Sequence, residues 1–118
     1  FGIPPAVEKP EDFLSRLAGF AKYAINQKGG RVTAGELAVV TGQRAGAIRL
    51  GLEWLAAGGH ISIQRDEEDV LMLSTGDGEI NQYLQRELYI AVKGILGETA
   101  AYRAHFQRAE AQSLMELE

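Results

Sequence analysis

Thr33–Leu73, TAGELAVVTGQRAGAIRLGLEWLAAGGHISIQRDEEDVLML, decides the architecture. Thr33 followed three residues later by Glu36 has capping-box spacing, in which each side chain bonds the other's free backbone N–H, so a helix starts here. Leu37 and Val40 form the inward face of that short helix, and Thr41-Gly42 closes it with a turn. A second helix over 44–57 carries Ile48, Leu52 and Leu55 as its apolar stripe. Gly51 sits on that helix where a missing side chain lets a neighbouring helix come close, and Gly58-Gly59 stops it. His60-Ile61-Ser62-Ile63 then alternates as a half-buried strand does. Val70-Leu71-Met72-Leu73 pairs with it, leaving 64–69 as a charged hairpin loop.

The flanks extend this pattern. Pro10, Glu11 and Asp12 suit a helix start, with a fixed φ and acids near the positive end of the dipole. Phe13, Leu14, Leu17, Phe20, Ala21, Ala24 and Ile25 follow at helical spacing, and Lys28-Gly29-Gly30 ends that helix. Beyond the second strand, 74–78 breaks the pattern, and from Glu79 onward the chain favours helix. Ile80, Leu84, Leu88, Ala91 and Ile95 give one stripe, beside which lie Tyr83, Glu87 and Ile90. Tyr102, Phe106 and Ala109 share a face further on, and Gly94 and Gly97 are placed to kink or split the helix. The expected fold is mainly α with a small β-hairpin: a winged helix-turn-helix over 11–76, a linker over 1–10 before it, and a C-terminal helical extension over 77–118. There is no internal repeat.

The 118 residues suit one compact domain or a small domain with an extension. With 46% hydrophobic and 24% charged residues, the composition is that of a globular protein. No apolar run is long enough for a membrane span, and the acidic, proline-rich start has no signal-peptide pattern. Cysteine is absent, which excludes disulfides and thiolate metal sites and fits the cytoplasm. FGIPPAVEKP carries no initiating Met, so the chain is expected to be a piece of a longer one. A net charge of −4 argues against strong non-specific nucleic-acid binding.

No enzyme active site can be assembled. His60 and His105 fall in a strand start and in the last helix, far apart in sequence, and a lone histidine is ordinarily structural or solvated. Asp66, Glu67, Glu68 and Asp69 lack the alternation and glycine of a calcium loop. The glycines form no phosphate-binding pattern and read as helix ends. No metal or cofactor is expected in this chain.

Nucleic-acid contact is the reading with named residues behind it. Gln43, Arg44 and Arg49 sit at and just after the start of the second helix of the helix-turn-helix, where side chains reach bases or phosphates. Lys28 and Arg31 could add phosphate contacts. Arg65 is the only cation of the hairpin loop, and the four acids after it repel phosphate, so any DNA contact is expected to be weak and auxiliary. Leu50 and Trp54 share a helix face rotated away from the core stripe. That face is either covered by the first or last helix or left as a docking patch. The Tyr102–Phe106 face poses the same choice, between folding back, packing on a sister domain and forming a homodimer.

AGELAVVTGQRAGAIRLGLEWLAAGGHISI (34–63), with the trailing ETAAYRAHFQRA (98–109), resembles the C-terminal winged-helix region of single-stranded-DNA-specific exonucleases of the RecJ type. The resemblance spans roughly 12–110. It implies an accessory domain of a DNA-repair nuclease that shapes the DNA path or docks a partner. The manganese-binding aspartates and histidines of that family belong to other domains, and no stretch here matches them. Two alternatives come from other classes. One is a transcriptional regulator dimerising through its last helix, similar to small winged-helix regulators. The other is a protein-interaction module anchored on Leu50 and Trp54.

Overall fold

The computed structural model describes residues 7–67 and 70–116. It is mainly helical, with four helices and one small antiparallel sheet among the described residues. In chain order these are α1 (Pro10–Gln27), β1 (Arg31–Thr33), α2 (Ala34–Thr41), α3 (Ala45–Ala57), β2 (Ile61–Glu67), β3 (Val70–Thr75) and α4 (Gln82–Glu116). The sheet order is β1-β3-β2.

Local signals account for most boundaries. Pro10 opens α1 with Glu11 and Asp12 in the first turn. Thr33 caps α2, its Oγ1 accepting from the Glu36 N–H at 3.0 Å, while the Glu36 carboxylate stands 3.8 Å from Lys28 Nζ. α2 ends on Gly42 at φ +73, a left-handed cap suited to glycine. Gly30 has φ +86, and a Cβ there would run into the Leu73 carbonyl, so only glycine lets the chain leave α1 and enter the sheet.

The core joins α1, α3, the sheet and the first half of α4 through Phe13, Leu17, Ile48, Leu52, Leu73, Val92 and Leu96. Gly51 is the close-approach point expected of it: an added Cβ would lie 2.5 Å from Leu17 Cδ2 and 3.1 Å from Phe13 Cε2.

Six expectations need correction or fall partly outside the described residues. Val40 does not face inward; it is 52% exposed, and α2 buries Ala34, Leu37 and Thr41 instead. β1 has no counterpart in the pattern reading, because three residues, Arg-Val-Thr, are too few to show alternation. Most of the expected loop at 64–69 is strand, β2 running on through Glu67 with a register irregularity after Arg65; Glu68 and Asp69 lie outside the described residues. Gly94 and Gly97 do not divide the last helix, which runs unbroken from Gln82 to Glu116. Its buried stripe is Leu88, Val92, Leu96 and Thr99, while Ile80 and Leu84 are exposed. The linker expected over 1–10 is outside the described residues up to 6. Of the remainder, Glu8 bonds Arg16 and Gln43, and Pro10 is a buried helical residue.

Candidate nucleic-acid interface

α3 and α4 run side by side and antiparallel. Near the start of α3, a Cβ on Gly46 would lie 2.9 Å from Ile95 Cδ1. Near its end, the Asn81 N–H bonds the Ala57 carbonyl at 2.7 Å. Leu50 and Trp54, on the same face between those points, are half-buried and packed against the core. The Leu50–Trp54 face is therefore largely covered from within the chain. The Trp54 ring stacks on His60, centroids 6.3 Å apart, beside a cleft of about 580 Å³ that Leu14, Ile25 and Tyr89 also line.

This packing leaves α3 only a narrow exposed strip, Arg49 and Glu53, after its exposed N-cap residue Arg44. The two charges of the strip oppose each other. Helices packed together have axes 8–10 Å apart and are each about 10–12 Å across, so α3 and α4 present a slab about 20 Å wide. The major groove of duplex DNA is about 12 Å wide. The α3–α4 pair taken broadside is thus wider than that groove.

The six residues singled out for nucleic-acid contact do not form one surface. Gln43 is buried, 9% exposed, and its Nε2 donates to Glu8 at 2.7 Å, so it is not a free surface reader. Lys28 faces Glu36. Arg31 pairs in register with Met72, and Arg65 with the adjacent Leu71. Because successive strand residues alternate between faces, those two arginines lie on opposite faces of the sheet. Arg49 stands on the α3 strip.

Arg44 is in different company. Together with Gly42, Gln43 and Val39 it forms one wall of an open groove of about 790 Å³; Thr99, Tyr102 and Arg103 of α4 form the other. The Arg103 guanidinium donates to the Gly42 carbonyl, which ties α4 to the α2–α3 turn and places a second cation in the groove. Tyr102 is 60% exposed and Phe106 55% exposed, their centroids 5.6 Å apart with planes tilted by 45°. Among the described residues no carboxylate lines the groove; Glu8 stands behind it, bonded to Gln43. The structure thus joins two residues expected to touch nucleic acid, Arg44 and the buried Gln43, with one expected to dock a partner, Tyr102.

Arg103 was missed in the sequence. Its signal was present: 88, 92, 96, 99 and 103 continue one helical stripe, and Arg103 follows Thr99 directly. Starting the stripe at Ile80 put it out of phase. Among the described residues no group of three or more histidines, aspartates or glutamates could hold a metal ion, and no helix is long and apolar enough to cross a membrane.

No family model matches the chain, and no curated protein or solved structure matches it.

Proposed function

We propose that the chain is a winged-helix module that holds single-stranded DNA weakly for a longer DNA-processing protein. In this reading it is the accessory region of a RecJ-type exonuclease, with catalysis carried elsewhere. The winged-helix part rests on element order: β1 lies between α1 and α2, and β2 and β3 follow α3 as a hairpin. One observation carries the functional part. In a chain of net charge −4, Arg44 and Arg103 flank an exposed Tyr102 in a groove that no carboxylate lines among the described residues. Cations that follow the backbone, with aromatic rings on which bases stack, are the usual means of binding single strands. The α3–α4 slab supports a single strand over a duplex for the steric reason given above.

The test is fluorescence anisotropy of labelled single-stranded and duplex oligonucleotides across a salt series. The single strand should bind more tightly, with a log–log salt slope of about −1.4 if two phosphates are neutralised. Arg44→Ala with Arg103→Ala should remove most of the binding and flatten the slope, and Arg49→Ala should matter less. Absence of single-strand binding at low salt, or equal loss from Arg49→Ala, would overturn the reading.

A second reading, a homodimer through α4, is favoured by the length of that helix. At 35 residues it is about 52 Å long. The long axis of the molecule is 59 Å, and its radius of gyration is 16.7 Å. A globule of this chain length has a radius of gyration of about 13–14 Å. Sedimentation equilibrium separates the two: a concentration-independent monomer removes the dimer.

A further inference from the structure

The cleft beside the Trp54–His60 stack shares no lining residue with the groove at Arg44. Its volume of about 580 Å³ falls in the range that holds small organic ligands, about 300–1,000 Å³. One face of α1 forms its long wall: Glu11, Leu14, Ala18, Lys22 and Ile25 line it and follow one another at three- or four-residue spacing. The end of α3 and the start of β2 supply Trp54, Leu55, His60 and Ile61. The base is apolar, since Leu14, Leu55 and Ile61 are all buried.

The aromatic part of the lining is held in place. Trp54 is half-buried, and its ring plane lies within 24° of the His60 ring. The imidazole rests against the turn after α3: a Cβ on Gly58 would come within 2.9 Å of His60 Cδ2. A fixed aromatic surface beside an apolar base accepts another flat ring by offset stacking.

Charge indicates what that ring carries. The Glu11 carboxylate is engaged, accepting from the Tyr89 hydroxyl of α4. Lys22 stands about 16 Å further along the α1 axis. It has no hydrogen bond or ion pair among the described residues, and neither has the side chain of Asn26 one turn beyond it, which also lines the cleft. An ammonium and an amide with donors to spare, next to an apolar base, suit an anion whose body is apolar.

We propose that this cleft binds a small planar aromatic acid. The ring lies on Trp54 above Leu14, Leu55 and Ile61, and the carboxylate accepts from Lys22 Nζ and from the Asn26 amide. Glu11, three turns away and bonded to Tyr89, leaves the Lys22 end open to an anion. The site does not rest on strand binding, since neither Arg44 nor Arg103 lines it.

Trp54 is the only tryptophan of the chain, so its indole N–H gives a single signal that reports on the cleft. The experiment titrates the whole ¹⁵N-labelled chain with 2-naphthoate and, in a second arm, with 2-naphthamide, which keeps the rings and removes the charge. With naphthoate the indole signal and the amides of Lys22 and Ile61 should shift saturably. With naphthamide the midpoint should be about three- to fivefold weaker. Lys22→Gln, at an exposed position, should weaken naphthoate by the same factor and leave naphthamide unchanged, and its amide spectrum shows that it is folded. Arg44→Ala with Arg103→Ala should leave the naphthoate midpoint where it was. An indole signal that stays still in both arms overturns the site. Equal midpoints for the two probes, or a naphthoate midpoint indifferent to Lys22→Gln, overturn an acid as its ligand. Loss of naphthoate binding in the double arginine variant, with Lys22→Gln silent, moves the anion to the other groove and removes it from the cleft.

Discussion

The two halves of α4 follow one stripe and meet different fates. From 88 to 99 its inward positions, Leu88, Val92, Leu96 and Thr99, are buried against α3 and the core. From 102 onward the same side carries Tyr102, Arg103 and Phe106, all exposed. The change comes where α3 begins: Gly46 faces Ile95, and past that point there is no α3 left to cover the helix. The first half is thus held by packing. The second half projects from the domain and brings cations and aromatic rings to the mouth of the α2–α3 turn.

The largest expected effect tests that division directly. Leu96→Ala removes a fully buried side chain where α4 crosses α3 and should cost about 2–5 kcal/mol in chemical denaturation. Phe106→Ala, ten residues further on, should cost less than about 0.5 kcal/mol, as exposed substitutions do. Equal losses would break the comparison, because Phe106 would then be packed against a partner in solution. Arg103→Ala falls between the two, with an expected cost below about 1 kcal/mol, since its bond to the Gly42 carbonyl is solvent-exposed. A much larger loss would mean that weakened DNA binding in this variant reports unfolding rather than a missing phosphate contact.

The same contrast shows how far the sequence could be read. Helix starts and stops were legible because they are local: Pro10, the Thr33 cap and Gly42 each declare a boundary through one residue's own geometry. Gly51 was legible too, since a glycine inside an apolar helix stripe implies a close neighbour. What escaped was long-range. β1 exists because β3 is there to pair with it, register Arg31 to Met72, and three residues in isolation show no period. The phase of the α4 stripe depends on where α3 lies. Ile80 and Leu84 are as apolar as Leu88, yet they precede or only begin the contact and remain exposed. The candidate groove was half legible. Arg44 and Tyr102 were both singled out, but for different tasks, because nothing in the sequence says that the α2–α3 turn and the middle of α4 meet.

The smallest effect concerns how the packed half of α4 is tied to α1 on the outside. The Tyr89 hydroxyl donates to the Glu11 carboxylate. That bond holds the Glu11 carboxyl below its ordinary value, helped by a backbone N–H at the helix start and by Lys9 and Lys93. The same bond pushes the Tyr89 hydroxyl above its ordinary value. For Glu11, whose folded value is lowered, the contribution to stability is present above the ordinary carboxylate range and is lost as pH falls through the lowered value. For Tyr89, whose folded value is raised, the contribution is present below the ordinary tyrosine range and is lost as pH rises through the raised value. Both groups are exposed, so the effect on stability is slight and the readout is the titration itself. In Tyr89→Phe, carboxyl-detected NMR should show Glu11 returning toward its ordinary value, with Leu96 and its neighbours unmoved. If Glu11 titrates as before, the helix start and the two lysines account for its shift, and the packed half of α4 is held to α1 by apolar contact alone.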